Sequence, residues 1–380
     1  DAHKNKPTIL QDGFVHMPNS TWRAAGVSVP VFSLRSKNSF GTGEFDDLKL
    51  LVDWAKKTGL RLIQILPVND TTATHTWVDS YPYAAISAFA LHPLYLNLDK
   101  VAGKKYAEIL KPLKKKQKQL NELPDLDYDE VMKLKLAAIK ELYAVQKEEF
   151  LQNKDWLDFY KKNKHWLIPY ASFCTLRDRY GTADFNKWKS YSQYNKDSVK
   201  RFASPKGKHF DEIALHYFIQ YHLHLQLKNA AEYAHDNGII LKGDIAIGVG
   251  RYGCDTWVEP ELYHMDMQAG APPDDFAVRG QNWGFPTYHW EKMAADGFEW
   301  WHKRFIQMSN YFDAFRIDHI LGFFRIWSIP VHAVEGIMGN FVPAIPIRIH
   351  EFEQWGIWFN HQRYCRPYIY DTILWEMFGP

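Results

Sequence analysis

Two side chains of opposite charge stand two residues apart in an otherwise apolar stretch, residues 314–318 (AFRID). The alternation of polar and apolar residues predicts a β-strand, with Arg316 and Asp318 on one face and Phe315 and Ile317 on the other. A guanidinium group beside a carboxylate favours its ionised form, so Asp318 could serve as a nucleophile or an electrostatic stabiliser. The same two residues could also form a structural ion pair, because a motif this short is not specific.

Another acidic residue, Asp244, lies in the middle of the apolar stretch 238–249 (GIILKGDIAIGV). This stretch is typical of a buried strand, and a carboxylate inside such a strand is costly unless it is paired or used. Two explanations remain open at this point. Backbone donors and a neighbouring arginine could satisfy Asp244, or its carboxylate could take part directly in a site.

The elements that must position these residues follow from hydrophobic periodicity. Residues 26–34 and 60–68 are predicted strands, and residues 45–57 between them have the apolar spacing of a helix, which Gly59 ends. Strands this apolar, alternating with helices, indicate a parallel α/β sheet. The later predicted elements are a helix at 213–237, a strand at 238–249, a long irregular loop at 250–290, a helix near 291–309 and the strand with Asp318, which Gly322 ends.

Four strand–helix units in this order predict an α/β fold, the first half of a (β/α)8 TIM barrel. Active-site loops in such barrels follow the carboxyl ends of the strands, and residues 71–98 follow the second strand. From residue 99 onwards the composition changes to Lys, Glu, Leu and Tyr at helical spacing, which predicts an inserted helical subdomain. The basic run 114–118 (KKKQK) within it is typical of a solvated helix face.

Composition argues against several classes of function. A net charge of +2 gives no reason to invoke nucleic acid, and no P-loop or GxGxxG motif follows a strand. No apolar run is long enough for a membrane span, and we expect no cofactor and no metal site. Cys174, Cys254 and Cys365 lie far apart without a CxxC motif, which favours a cytoplasmic location. The aromatic content of 16% is high, and although most rings belong in a core, aromatic faces also stack on sugars.

The longest motifs lie in three stretches and around one aspartate. They are the loop 268–290 (QAGAPPDDFAVRGQNWGFPTYHW), residues 79–98 (DSYPYAAISAFALHPLYLNL), residues 315–323 (FRIDHILGF) and Asp244 in KGDIAIGV. Together they resemble glycoside hydrolase family 77, the amylomaltases or 4-α-glucanotransferases of the α-amylase clan. The sequences HILGFFRIW and YPY look most like those of the plant-cytosolic-type disproportionating enzymes and their bacterial relatives.

The resemblance implies transfer of glucosyl or maltodextrin units between α-1,4-glucans, with retention at the anomeric carbon. The substrates would be maltose, maltodextrins and glycogen or starch-like glucans. By resemblance Asp318 is the nucleophile, and Arg316 keeps it charged and oriented. The implied substrate-binding residues are Tyr83 over the donor ring, Asp244 holding Arg316 or the glucosyl ring, Asp274 bracing its loop, Asn282 and Trp283 on the acceptor side, and His319, which would reach a sugar hydroxyl or be structural.

The family's acid/base glutamate and third aspartate have no counterpart in this sequence, so we expect a truncated chain that is inactive alone. The expected divisions are the first barrel units with the donor loop (1–98), the helical subdomain (99–210), strands three and four with the GQNWG loop (211–330) and the start of an insertion (331–380). An open half barrel would expose strand edges, which could favour a homo-oligomer. An α-glucan hydrolase of the same clan and a non-catalytic glucan-binding fragment remain as alternatives.

Overall fold

The structure is a computed structural model that describes residues 23–344, 347–366 and 369–380. Its strands are β1 (Gly26–Val29), β2 (Leu62–Ile65), β3 (Ile240–Ile245), β4 (Tyr263–His264), β5 (Met267–Ala271), β6 (Gln281–Asn282), β7 (Thr287–Tyr288), β8 (Ala314–Ile317), β9 (Ile326–Pro330) and β10 (Asn340–Val342). Its α-helices are α1 (Asp47–Thr58), α2 (Leu98–Ala102), α3 (Ala107–Leu110), α4 (Lys114–Asn121), α5 (Tyr128–Gln152), α6 (Lys154–Tyr180), α7 (Lys196–Phe202), α8 (Phe210–Asp236), α9 (Cys254–Val258), α10 (Trp290–Ala295), α11 (Glu299–Met308), α12 (Ile349–Gln354), α13 (His361–Cys365) and α14 (Asp371–Phe378). None of the helices in these ranges combines the length and the apolar character needed to cross a membrane.

The sheet that carries the candidate residues is fully parallel. Its strands pair in the order β1-β2-β3-β8. Helix α1 connects the first two strands, α8 leads into β3, and α11 leads into β8. The predicted α/β fold of four strand–helix units is therefore confirmed, and the strand order is that of one half of a (β/α)8 barrel.

The predicted strands are longer than the observed ones. The strand expected at 26–34 ends at Val29, because Pro30 has no N–H to continue the ladder and the next three residues form a 3-10 helix. The strand with Asp318 ends at Ile317, so Asp318 follows the strand instead of lying in it. Gly322 lies in a short 3-10 helix further on and does not mark the strand's end.

Two further predictions were wrong in detail. Residues 250–290 are not an irregular loop, since they contain α9 and four short strands. Two of these strands, β5 and β6, join β9 and β10 in an antiparallel sheet of order β10-β9-β5-β6. The single helix expected near 291–309 is two helices, because the chain turns with positive φ at Gly297 and Phe298 between α10 and α11.

The region between β2 and β3 is helical, as its composition predicts. Asp127 and Asn153 cap the N-termini of α5 and α6, each accepting a hydrogen bond from a backbone N–H three residues on. Helices α5, α6 and α8 pack through aromatic rings, for example Phe150 against Trp156 at 4.5 Å. These helices and the parallel sheet share one buried cluster. The proposed four-part division of the chain stays a prediction.

A fully buried ion pair joins the helical region to the first barrel unit. Lys135 of α5 donates to Glu44, just before α1, at 2.5 Å and to the carbonyl oxygen of Leu94 at 2.6 Å. Asn97 donates to the other Glu44 oxygen at 2.6 Å. Burial raises the pKa of Glu44 to about 7 and lowers that of Lys135. Because both side chains are buried, each charged group is stabilised by its partner in place of water.

We expect Lys135→Met to lower the free energy of unfolding by about 3–5 kcal/mol, because it leaves the Glu44 carboxylate buried without its countercharge. Lys140→Met, at an exposed position of the same helix, should change it by less than about 0.5 kcal/mol. Urea unfolding of both variants makes the comparison. Equal stability of the two variants would contradict a structural role for the pair.

Candidate active site

The core of the site is one guanidinium group between two carboxylates. The parallel register of β3 and β8 places Asp244 directly beside Arg316. Arg316 donates through Nη1 to Asp244 Oδ2 at 2.6 Å and through Nη2 to Asp318 Oδ1 at 2.9 Å. The Asp244 side chain is fully buried, whereas those of Arg316 and Asp318 are 40% and 26% exposed. The predicted Arg316–Asp318 contact and the pairing of Asp244 with an arginine are both present.

Tyr83, from the loop after β2, completes this group. Its hydroxyl donates to Asp244 Oδ2 at 2.9 Å, and Arg316 Nη1 lies 3.4 Å from the same hydroxyl. Burial and the hydrogen bond to Asp244 raise the pKa of Tyr83 to about 12, so the phenol remains a donor at neutral pH. Burial also raises the pKa of Asp244, and the hydrogen bonds from Tyr83 and Arg316 oppose that rise.

Asp318 presents one free oxygen at the end of its strand. Its backbone N–H donates to the carbonyl oxygen of Ile245 at 3.2 Å, which continues the β3–β8 ladder by one residue. Its Oδ1 is held by Arg316, while Oδ2 has no hydrogen-bond partner among the residues that the structure describes. The arrangement holds the carboxylate in place by one oxygen and leaves the other available to a ligand.

His319 does not continue the strand. Its φ of 52° lies in the left-handed region, which non-glycine residues seldom adopt. The turn brings its ring edge-on to Trp283, with the ring centroids 5.1 Å apart. Burial lowers the pKa of His319, which favours the neutral ring. The His319 ring therefore lies next to the site, in contact with Trp283 of the GQNWG loop.

A cavity of about 170 Å³ lies beside Asp318. It is lined by Tyr81, Tyr83, Ala246, Ile247, Trp283, Phe285 and Asp318. Three predicted residues from separate stretches of the sequence therefore meet at one cavity. They are Tyr83 after β2, Trp283 in the region between β3 and β8, and Asp318 after β8. Aromatic rings form much of its wall, as expected for a site that stacks on sugar rings.

The Trp283 side of the cavity is held by close packing. The indole Nε1 of Trp283 donates to Gln281 Oε1 at 3.0 Å, and the ring stacks on Phe285 at 5.8 Å. Phe285 in turn lies so close to Gly248 that a Cβ there would stand 2.2 Å from its ring. Gly248 is needed for this approach, which fixes the two aromatic rings against the end of the third barrel unit.

Four predicted substrate-binding residues do not line this cavity. Asp244 and His319 contact lining residues, Tyr83 and Trp283, whereas Asn282 and Asp274 make contacts elsewhere. Asn282 donates to the carbonyl oxygens of Ala333 and Val334 at 3.2 and 3.1 Å and braces the loop against the segment after β9. Asp274 is exposed, and its Oδ1 accepts hydrogen bonds from two backbone N–H groups of its own turn. These hydrogen bonds lie within the Asp274 turn itself. The roles implied for Asp274 and Asn282 stay predictions.

The sequence patterns did not predict Ala246, Ile247 or two aromatic lining residues, Tyr81 and Phe285. Tyr81 packs on Tyr83 with the ring centroids 5.6 Å apart, and Phe285 lies two residues after Trp283. Both stand two residues from a predicted aromatic residue in the same motif, YPY or GQNWGFP. That spacing is the one signal that could have found them.

Among the residues that the structure describes, no ligand cluster suited to a metal lies at this cavity. In the described ranges of the chain, one group could hold an ion, His264, His289 and Glu291, whose ligand atoms lie within 4.8 Å of one another. None of the three lines the cavity. Along α8, burial lowers the pKa of His216, His222 and His224 to about 4, so these histidines are neutral. That the site needs no metal or cofactor stays a prediction.

Comparisons with known proteins agree with the resemblance. The family described as 4-alpha-glucanotransferase, glycoside hydrolase family 77, matches residues 29–354. The chain is 46% identical over its whole length to the 4-alpha-glucanotransferase DPE2 of Oryza sativa subsp. japonica, of which it covers 40%. It is 33% identical, over 80% of its length, to a 4-alpha-glucanotransferase of Chlamydia muridarum, of which it covers 56%. The chain thus spans about half the length of these relatives.

Solved structures show the same fold at low sequence identity. The amylomaltase of Streptococcus agalactiae in complex with acarbose aligns with a TM-score of 0.72 and 23% identity, over 94% of this chain and 68% of that one. The amylomaltase of Corynebacterium glutamicum aligns with a TM-score of 0.69 and 21% identity, over 90% of this chain and 44% of that one. These likenesses show the fold alone. The family match over residues 29–354, most of the sequence, means that the chain belongs to glycoside hydrolase family 77.

Proposed function

We propose that this chain carries the nucleophile side of a retaining 4-α-glucanotransferase site. Its substrates would be maltose, maltodextrins and glycogen or starch-like α-1,4-glucans. The proposal rests on one observation above all. Asp318 stands at an aromatic cavity with one oxygen held by Arg316, while the other has no partner among the described residues. The names of the relatives support the same activity.

In the first step, Asp318 Oδ2 attacks the anomeric carbon of the donor sugar and forms a glycosyl ester, while the bond to the leaving glycosidic oxygen breaks. The leaving oxygen takes a proton from a general acid. In the second step, the now deprotonated acid takes the proton of an acceptor hydroxyl as its oxygen attacks the same carbon, and the ester bond breaks to restore the Asp318 carboxylate. The anomeric configuration of the donor is retained in the product, because each of the two steps inverts it.

Arg316 assists this two-step reaction in two ways. Its positive charge lies beside the carboxylate of the nucleophile, and its hydrogen bond fixes the Oδ1 atom and leaves Oδ2 for the donor sugar. Asp244, fully buried and bonded to Arg316 and Tyr83, holds the guanidinium in place. The rings of Tyr83 and Trp283 exclude water from the ester, which favours transfer to a sugar over hydrolysis.

The described residues that line the cavity do not supply a general acid. A retaining site needs a second carboxyl group about 5–5.5 Å from the nucleophile. Among the described residues that line the cavity, Asp318 is the one carboxylate, and Asp244 is buried and committed to Arg316. This favours a second candidate function for the chain by itself, which is glucan binding without turnover of natural substrates.

We also infer a cytoplasmic location. Cys174 and Cys254 are buried free thiols and Cys365 is an exposed one, and free thiols persist in reducing compartments. Association with a second copy of the chain stays a prediction.

An activated donor tests the proposed nucleophile without the acid. Fluoride leaves without protonation, so we expect the 380-residue chain to release fluoride from α-glucosyl fluoride but not to disproportionate maltotriose. With azide as acceptor, the product should be the α-glucosyl azide. A fluoride electrode and NMR of the product make the measurement, with Asp318→Asn as the inactive control. Release that persists in this variant, or a β-azide product, would contradict the proposal.

Tyr83→Phe tests the support of the nucleophile. The variant keeps the ring over the cavity but removes the hydroxyl bonded to Asp244, so Arg316 loses part of its alignment. Hydrogen bonds to charged groups are worth about 1.5–3 kcal/mol, and we expect fluoride release to fall at least about tenfold in kcat with little change in KM. Tyr106→Phe, in the helical region away from the cavity, is the control. An unchanged kcat would show that the Tyr83 hydroxyl is structural.

A further inference from the structure

A second cleft, larger than the cavity at Asp318, lies on another part of the molecule. Its volume is about 550 Å³, within the range of small-molecule sites. It lies where residues 185–194 of the helical region meet residues 251–261, which follow β3. The two sites share no lining residue.

Aromatic rings form one wall of this cleft. Tyr252 is 42% exposed, and its ring meets Phe185 edge-on at 6.2 Å. Tyr194 meets the buried ring of Trp257 edge-on at 5.0 Å. Trp257 is itself fixed, since its Nε1 donates to a backbone carbonyl oxygen at 2.8 Å. The wall is therefore a held surface onto which the C–H face of a sugar can stack.

The polar groups around this wall are uncommitted. Within the described residues, the side chains of Ser192, Gln193 and Glu261 and the hydroxyl of Tyr252 have no hydrogen-bond or ion-pair partner. They offer a hydroxyl, an amide, a carboxylate and a phenol. Neutral donors and acceptors with one carboxylate, set beside the exposed ring of Tyr252 and the half-buried ring of Tyr194, match the alternating hydroxyl and C–H surfaces of a glucan.

Among the described residues that line the cleft, the one cation is not available to an anion. Arg251 donates to the carbonyl oxygens of Met265, Met267 and Gly284 at 2.5, 2.6 and 3.3 Å. Its guanidinium group is therefore already hydrogen-bonded to backbone oxygens. The other charged lining residue, Glu261, repels phosphate. A nucleotide or other phosphorylated ligand fits this chemistry poorly.

We propose that this cleft binds a segment of α-1,4-glucan chain at a site separate from the cavity at Asp318. The substrate class rests on the proposed function. Arg251 lies in the cleft and also holds Gly284, the residue after Trp283. A long glucan held there is anchored next to the loop that borders the active cavity. The cleft raises the affinity for long glucans and has no effect on maltose.

Maltoheptaose is the probe for this cleft. Isothermal titration of the 380-residue chain should give two sites, and hydrogen exchange should show protection of residues 185–194 and 251–261. Tyr252→Ala and Gln193→Ala, each confirmed as folded by circular dichroism, should weaken the cleft site by about tenfold and spare the other. Trp283→Ala should do the reverse. Tyr364→Ala, at a tyrosine of similar exposure (49%) outside both sites, is the control.

The outcomes separate the two proposals. Protection confined to the loops around Asp318, with titrations of Tyr252→Ala and Gln193→Ala unchanged, overturns the cleft and leaves the proposed function standing. Protection confined to the cleft, together with no fluoride release from the activated donor, supports the cleft as a glucan site and overturns the nucleophile. Absence of any maltoheptaose binding overturns the cleft, and fluoride release then decides the function alone.

Discussion

The burial of Asp244 is the constraint on which the site depends. A carboxylate with no exposed surface in a parallel sheet must be compensated. Arg316 on the next strand and Tyr83 from the loop after β2 both donate to its Oδ2, whereas Oδ1 has no partner among the described residues. These two bonds fix the guanidinium, whose remaining arm reaches Asp318. The position of the nucleophile therefore follows from the need to satisfy an acid that contacts no solvent. The chemistry at Asp318 therefore depends on hydrogen bonds that stabilise the buried Asp244.

The helical region contributes to this arrangement by holding the loop that carries Tyr83. Tyr170 of α6 donates to the buried Asp70 at 2.5 Å, and Arg177 of the same helix donates to the backbone and hydroxyl oxygens of Thr72. Both contacts are buried, so they act at low dielectric and resist loss of the loop's conformation. The helices are thus more than a covering of the sheet, since they anchor the start of the loop that ends at the cavity.

The sequence was sufficient for the parallel sheet and for the Arg316–Asp318 pair, because both rest on local patterns: apolar strands, and polar residues at a spacing of two. It was insufficient where contacts join distant residues. The side-chain amide of Asn282 donates to carbonyl groups about fifty residues away, and no local pattern predicts such a contact. Phe285 reaches the cavity because Gly248 lets its ring approach. The short strands within 250–290 exist because they pair with β9 and one another across the chain, and their own residues carry no clear period.

The most direct test of this account is to find the atom that the sugar is transferred to. The chain would be incubated with 5-fluoro-α-D-glucosyl fluoride, whose glycosyl ester is slow to break down, and then digested for peptide mass spectrometry. The account predicts one added fluoroglucosyl group, on the peptide containing Asp318, and none in Asp318→Asn. A label on another residue, or no label although the donor releases fluoride, would contradict the assignment of Asp318 as the nucleophile.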